Sequence, residues 1–172
     1  MASQENINPV GSPFVSERTG LQTLVLATAG WKDEYLEVIH SERVQALAIR
    51  VPDDGLSFLG RLTELRGLTL SAGSVRQLAT LEALTELEDL TLNTLHRPKM
   101  PVDFGAFSKL KRLGIYWNPG FESVFACEQL QSLFMFGPPD ADLTRFGGLQ
   151  GLRRLEFSEG RRLRSLDGAD QL

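Results

Sequence analysis

The sequence lacks several features that would assign it to a broad class of proteins. Its 172 residues include one cysteine, Cys127, so no internal disulfide can form, and a reducing, cytoplasmic location is expected. No stretch approaches the roughly 18 uninterrupted apolar residues of a transmembrane helix, and residues 1–20 carry no recognisable secretory signal. The net charge of -4 gives no electrostatic reason to expect nucleic acid or a membrane as a partner.

Patterns of catalytic and cofactor sites are also missing from the sequence. It contains no glycine-rich phosphate loop, no HExxH motif and no CxxC pair. Its two histidines, His40 and His96, lie far apart in the chain, and Cys127 is placed near neither of them. We therefore expect no catalytic residues, no metal and no cofactor, and a protein that is not an enzyme.

A short phrase of apolar residues returns every 20 to 23 residues along most of the chain. In each copy an apolar residue occupies positions one, four and six, and positions four and six of a strand point to the same face. One unit is too small to bury that face alone, so stacked units are predicted to form a continuous apolar ladder. The seven copies are Leu21–Leu26, Val44–Ile49, Leu65–Leu70, Leu87–Leu92, Leu110–Ile115, Leu130–Met135 and Leu152–Phe157.

The second half of each unit carries apolar residues spaced by three, as in Leu56, Leu59 and Leu62. Residues i and i+3 align in a 3₁₀ helix, so short 3₁₀ or helical segments are predicted on the side opposite the strands. Cys127 occupies the same slot as Leu62, which predicts a buried core thiol and not a nucleophile. In the first unit, Asp33 is predicted to cap a fuller helix. The spacing continues in the last unit at Leu163, Leu166 and Ala169.

The two ends of the repeat region are predicted to differ. Residues 1–20 are assigned to an N-terminal tail and cap, and residues 21–172 to one repeat domain of seven units. Leu172 stands where an eighth phrase would begin, which leaves three alternatives: a degenerate closing unit, end-to-end pairing of two copies, or a longer array. The apolar residues expected to lie across the first strand as a cap are Val10, Phe14 and Val15.

The phrase resembles the leucine-rich repeat, LxxLxL, and Leu81–Leu92 in particular is similar to the short subclass with about 22 residues per unit. Internalins and the phosphatase-regulatory leucine-rich repeat proteins belong to that subclass. The resemblance covers residues 21–172 and implies an α/β fold: a right-handed solenoid with a parallel concave sheet of about seven strands and short helical or 3₁₀ convex segments. It also implies a non-catalytic module that binds another protein, as an adaptor, an inhibitor or an effector.

The sequence departs from this family at position nine of the repeat, which usually holds an asparagine bonded to the backbone of the next turn. Among units two to seven only Asn118 conforms, so the turns after the strands are expected to be irregular. The longest of them, Asn93–Pro101, is basic at His96, Arg97 and Lys99 and is a second candidate for recognition.

Positions three, five and seven of the phrase are predicted to face outward from the concave sheet. In the last three units they place Tyr116, Phe134 and Phe136 close together, and Trp117 borders them at position eight. Aromatic side chains with flanking arginines are typical of the anchors of protein interfaces. The candidate partner-binding residues are Tyr116, Trp117, Phe134, Phe136, Arg112, Arg154, Asp89 and Asn93.

Other interpretations of these aromatic residues remain open at the level of sequence. The loop Gly137–Asp140 is able to cover Phe134 and Phe136, and a contact between two copies of the chain is a further alternative. A rival function is a self-assembling structural module, or a piece of a longer repeat array, that uses an open C-terminal end at Leu152–Leu172. Partner binding should then depend on the aromatic residues, and assembly on that end.

Overall fold

Eight strands form one open sheet, in which each strand pairs with its neighbours in sequence order. The computed structural model describes residues 12–26, 30–51, 55–72, 78–94 and 101–172. The strands are β1 (Phe14–Val15), β2 (Gln22–Leu26), β3 (Ala46–Val51), β4 (Gly67–Ala72), β5 (Asp89–Thr94), β6 (Arg112–Tyr116), β7 (Ser132–Phe136) and β8 (Arg154–Ser158). β1 is antiparallel to β2, and all the later pairs are parallel.

The register of the parallel strands confirms the apolar ladder predicted from positions four and six. Position four forms one row across the sheet: Leu24, Leu47, Leu68, Leu90, Leu113, Leu133 and Leu155. Position six forms a second row: Leu26, Ile49, Leu70, Leu92, Ile115, Met135 and Phe157. All of these side chains are buried except Leu155 and Phe157 in β8, which are partly exposed.

A short helix follows each strand from β2 to β8, as the spacing of three predicts. The first unit has α1 (Tyr35–Ser41), and the later units have 3₁₀ helices at Ser57–Arg61, Leu78–Ala83, Phe104–Ala106, Pro119–Ala126, Thr144–Gly148 and Ala169–Gln171. Leu56 and Leu59 are fully buried, and so are their equivalents in the next unit, Leu78 and Leu81. None of the helices in the described ranges is long and apolar enough to span a bilayer.

Cys127 is a buried core thiol, as its place in the repeat predicts. The residue is 1% exposed, and its Sγ lies 3.5 Å from the backbone oxygen of Ser123. Burial, with a smaller contribution from the nearby charge of Asp103, raises the pKa of the thiol to about 11. The thiolate form is therefore scarce at neutral pH, and Cys127 serves the packing of the core.

The first edge of the sheet holds a strand beyond the seven that the repeat predicts. Phe14 pairs with Thr23 and Val15 with Gln22, so this short β1 occupies the free edge of β2. Phe14 is 50% exposed and Val15 is 62% exposed, so β1 satisfies backbone groups of the edge without burying its own side chains. Val10 lies outside the described residues.

The prediction that Asp33 caps the first helix is wrong. The residue before α1 is Glu34, and no side chain caps the helix. The carboxylate of Asp33 instead accepts hydrogen bonds from Trp31 Nε1 at 3.0 Å and from Arg61 Nη1 at 2.8 Å, and these two bonds lower its pKa. The ring of Trp31 stacks on Phe58, with ring centroids 4.3 Å apart. Asp33 therefore takes part in a contact with the next unit and does not cap the helix.

The last unit also departs from prediction, because its spaced apolar residues do not all turn inward. Leu166 is 70% exposed, and Ala169 is exposed as well. The backbone of this last unit is hydrogen-bonded to the preceding unit. The Leu143 N–H donates to the backbone oxygen of Asp167 at 2.8 Å. Gly168 has a φ of 89°, and a Cβ there would lie 2.5 Å from the backbone of Thr144, so this approach requires glycine.

Candidate binding face

The outer face of the sheet, formed by positions three, five and seven of each repeat, changes in character along the solenoid. From β2 to β4 its described residues are Thr23, Val25, Ala46, Ala48, Arg50, Gly67, Thr69 and Ser71. From β6 to β8 they are Arg112, Gly114, Tyr116, Ser132, Phe134, Phe136, Arg154, Glu156 and Ser158. The large aromatic side chains of the face are therefore concentrated in β6 and β7.

Tyr116 and Phe136 form a pair at the carboxyl ends of two adjacent strands. They are partners in the β6–β7 register, and their ring centroids lie 4.5 Å apart with an interplanar angle of 33°. Offset contacts of this kind stabilise aromatic pairs beyond the area that they bury. Both side chains are partly buried, so each ring has one side on its partner and keeps some surface exposed to solvent.

Phe134 is the aromatic residue of this face that lies most open to solvent. It is 41% exposed. Its register partners are Gly114 in β6 on one side and Glu156 in β8 on the other. Gly114 has no side chain that could cover the ring. At this exposure Phe134 is not buried by the loop Gly137–Asp140, whereas Phe136 is partly buried and lines one cavity with Gly137 and Pro138.

Trp117 borders the face but belongs mainly to the core. Its ring packs against Phe125 with centroids 5.5 Å apart, and the side chain is partly buried against the core cluster. Its backbone N–H donates to the Phe136 oxygen at 2.9 Å, which extends the pairing of β6 and β7 by one residue.

Asp89 is buried and paired within the chain, although its position in the repeat predicts a side chain that faces outward. The residue is 2% exposed, and its carboxylate accepts hydrogen bonds from Arg18 Nη2 at 2.8 Å and from Arg112 Nε at 2.7 Å. The role of Arg18 has no signal in the sequence, because Arg18 lies in the turn between β1 and β2, far from the strand that it reaches. The guanidinium of Arg112 is therefore also paired with this carboxylate.

The remaining polar candidates lie on either side of the aromatic residues. The side chain of Arg154 is 71% exposed and forms an ion pair with Glu156 on its own strand. Asn93 is partly buried, and its Nδ2 lies 3.5 Å from the hydroxyl of Ser71. Arg154 is therefore accessible to a partner, whereas Asn93 mainly joins β5 to β4.

A cavity of about 430 Å³, here called the strand-end cavity, opens beyond the carboxyl ends of β5 to β8. The buried hydroxyl of Thr94 and the buried side-chain nitrogen of Asn118 have no hydrogen-bond partner among the described residues. The side-chain oxygen of Asn118 accepts from the Gly120 N–H at 2.8 Å, a bond to the backbone of the next turn as predicted for this position. The wall of the strand-end cavity includes Thr94, Tyr116, Trp117, Asn118, Phe136 and Arg162.

The sequence marked only part of this cavity. Asn118 stands out as the asparagine of position nine, and the repeat pattern also predicts Tyr116, Trp117 and Phe136 as candidates. Thr94 carries no signal, because a threonine at position eight of one repeat is unremarkable by itself. The basic residues His96, Arg97 and Lys99, predicted as a second recognition loop, lie outside the described residues.

A larger cavity of about 520 Å³ lies elsewhere, at the C-terminal end of α1 and the turn before β4. It is lined by His40, Arg43 and Arg61 among others, and it contains no buried polar group without a partner in the described ranges. The smaller strand-end cavity is therefore the better candidate for a binding site. In the described parts of the chain, no three histidine, cysteine or acidic side chains come together as metal ligands.

Comparison with known proteins identifies the fold. No protein-family model matches the sequence, and no curated protein matches it. Among solved structures, the chain is similar to an internalin, InlF, from Listeria monocytogenes, with a TM-score of 0.53 at 20% sequence identity. The match covers 72% of this chain and 39% of the internalin chain, so this chain corresponds to well under half the length of that protein.

Proposed function

From its leucine-rich repeat fold, we propose that this chain is a non-catalytic module that binds another protein through the outer, concave face of its sheet. The contact is centred on β6 to β8. The roles that fit such a module are those of an adaptor, an inhibitor or an effector. The observation that carries the proposal is the open position of Phe134 beside the Tyr116–Phe136 pair.

Burial of the aromatic rings against a partner supplies part of the binding free energy. Fully burying three such rings contributes roughly 5–9 kcal/mol, against an association cost of roughly 4–15 kcal/mol. Tyr116 and Phe136 are already partly buried in the free protein, so their further contribution is smaller. Polar groups around the rings, such as the exposed Arg154, must therefore add to the contact.

The test is an affinity capture from a lysate of the source organism, followed by binding measurements with the purified partner. The wild type is compared with a Tyr116→Ala, Phe134→Ala, Phe136→Ala variant whose fold is verified by circular dichroism and thermal unfolding. Since interface aromatic residues often contribute more than about 1 kcal/mol each, the variant should bind the partner at least about tenfold more weakly.

The matched control is Phe14→Ala. Phe14 is 50% exposed, close to the 41% of Phe134, but it lies in β1 at the opposite edge of the sheet. This variant should capture the partner as well as the wild type does. Equal capture by all three proteins would show that the aromatic face is not the binding site.

The rival proposal, self-assembly through the C-terminal unit, also has an observation in its favour. Leu155 and Phe157 in β8 are only partly buried, and Leu166 is 70% exposed, so this end offers apolar surface to a further packing unit. Sedimentation of the wild type distinguishes the two proposals. A dimer that Leu166→Glu converts to a monomer would favour assembly, and a monomer at all concentrations would dismiss it.

The absence of catalysis and the cytoplasmic location remain part of the proposal. In support of the first, the thiol of Cys127 is buried with a pKa raised to about 11, which is unsuited to nucleophilic chemistry. The second rests on the expectation drawn from a single cysteine. Fluorescent tagging and microscopy in the source organism would test the location directly.

A further inference from the structure

Two buried polar groups of the strand-end cavity require a partner that the described residues do not provide. Thr94 is 4% exposed and Asn118 is 2% exposed, and both line the cavity. The Thr94 hydroxyl and the Asn118 Nδ2 make no hydrogen bond within the described chain. Buried polar groups in proteins are normally paired, so an unpaired couple in one cavity points to a ligand.

The chemistry of these two groups specifies what the ligand offers. The oxygen of the Asn118 side chain is already used by the Gly120 N–H, so the group left over is an amide NH₂, which only donates. The Thr94 hydroxyl is also able to donate. Two donors on one wall call for an acceptor, and a carboxylate has two acceptor oxygens.

The charge at the mouth of the cavity adds a preference for a negative ligand. Glu159 forms an ion pair with Arg161 at 3.1 Å, whereas Arg162 has no acidic partner among the described residues. Residues 153–164 contain five arginines and two glutamates, in a chain whose net charge is -4. Of these arginines, Arg161 and Arg162 line the cavity together with Glu159, so its wall carries a small excess of positive charge.

The cavity is also continuous with the aromatic face. Tyr116 and Phe136 belong both to the outer face and to the cavity wall. Their rings and that of Trp117 provide apolar surface around the donors, where a hydrogen bond to a charged group is stronger than in water. A volume of about 430 Å³ has room for a whole side chain and part of its backbone.

We propose that the strand-end cavity binds an acidic side chain, aspartate or glutamate, of the partner protein, with Thr94, Asn118 and Arg162 as its ligands. This inference rests on the proposed function and adds the chemistry of one contact. The partner's acidic residue enters the cavity, while a neighbouring apolar residue of the same segment lies on Tyr116 and Phe136. The carboxylate accepts from Asn118 Nδ2 and from the Thr94 hydroxyl, and pairs with Arg162 at the mouth.

The test titrates the ¹⁵N-labelled full chain with three probes, followed by NMR. They are acetyl-Phe-Glu-amide, its neutral analogue acetyl-Phe-Gln-amide, and free glutarate. The first should shift the side-chain NH₂ signals of Asn118 and bind at least about fivefold more tightly than the second, since hydrogen bonds to charged groups are stronger than neutral ones. Glutarate should bind about tenfold more weakly than the first, because it does not reach the aromatic rings.

Two variants locate the contact. Thr94→Val removes a hydroxyl that the described chain leaves unpaired, so it should weaken the glutamyl probe about threefold or more without lowering the thermal stability of the protein. Arg162→Gln should remove most of the preference for the glutamyl probe. The matched control is Arg164→Gln, an exposed arginine of the same unit outside the cavity wall, which should leave binding unchanged.

Three results would overturn the inference: equal binding of the glutamyl and glutaminyl probes, an unaltered affinity in Thr94→Val, or glutarate binding as tightly as the dipeptide. The last would assign the cavity to a free small carboxylate. The proposed function is judged separately, by Phe134→Ala in the affinity capture, because Phe134 lies on the outer face away from the cavity wall. A partner lost in that variant, together with no response to the probes, would leave the binding face established and reject the acidic side chain.

Discussion

The two halves of the outer face are built on the same repeat, yet only one of them carries large aromatic side chains. In the N-terminal half, Arg18 reaches from the turn after β1 to Asp89 in β5, and so crosses the face above β3 and β4. The space left beneath it, beside Ala46 and Gly67, is about 90 Å³. In the C-terminal half, Phe134 is 41% exposed beside a cavity of about 430 Å³.

This difference shows which positions of a repeat are free to specialise. Positions four and six carry apolar residues in both halves, because each must pack on the same ladder. The side chains at positions three, five and seven do not pack in this core, so their size and polarity can vary. One half holds small residues near Arg18, and the other holds aromatic rings. The scaffold is therefore uniform, and recognition is expected where the outer positions depart from small and paired side chains.

The largest expected effect tests whether the shared ladder is equally well packed beneath both halves. Leu90 in β5 is fully buried, whereas Leu155, its equivalent in β8, is partly exposed. Leu90→Ala should lower the free energy of unfolding by about 2–5 kcal/mol, and Leu155→Ala by roughly 1 kcal/mol, because less packing is lost. Urea denaturation followed by circular dichroism measures both. Equal losses would show that β8 is packed as tightly as the middle of the solenoid.

A smaller effect tests how closely the N-terminal half is packed on its outer face. A Cβ at Gly67 would lie 2.7 Å from the Cβ of Ala46, whereas a Cβ at Gly114 would meet only the side chain of Thr91, at 3.3 Å. Gly67→Ala should therefore cost about 1–2 kcal/mol of stability. Gly114→Ala should be nearly neutral, since a rotation of Thr91 offsets the contact. The same denaturation measurement applies, and a neutral Gly67→Ala would contradict the tight packing.

Much of this fold could be predicted from the sequence, because the repeat imposes a physical constraint seven times. Every parallel strand falls on its LxxLxL phrase, and Cys127 is buried as its slot requires. The errors occur where a single contact between units decides the structure. Asp33 bonds to Trp31 and Arg61 and so does not cap a helix, and no periodicity reveals such a pairing.

The candidate site was less predictable than the fold for a related reason. The pattern places Tyr116, Phe134 and Phe136 on one face, since that depends on the alternation of a strand. It does not reveal that Asp89 is buried, because the arginine that covers it belongs to the N-terminal cap. Nor does it identify Thr94, whose importance depends on the lack of a hydrogen-bond partner, a property of the packed structure.

The smallest expected effect concerns the arginine that crosses part of the N-terminal half. The Arg18 side chain is 60% exposed, and Asp89 keeps its second bond, to Arg112 Nε at 2.7 Å, when Arg18 is lost. Only the arginine of this pair is exposed, and the buried carboxylate of Asp89 stays paired with Arg112, so Arg18→Ala should lower stability by about 1 kcal/mol. Capture of a partner by the aromatic face should be unchanged, because Arg18 lies over the other half. Thermal unfolding and the affinity capture check both statements. If Arg18→Ala instead altered the affinity for the partner by tenfold, the partner would have to reach the N-terminal half as well, and the restriction of binding to the C-terminal half would be wrong.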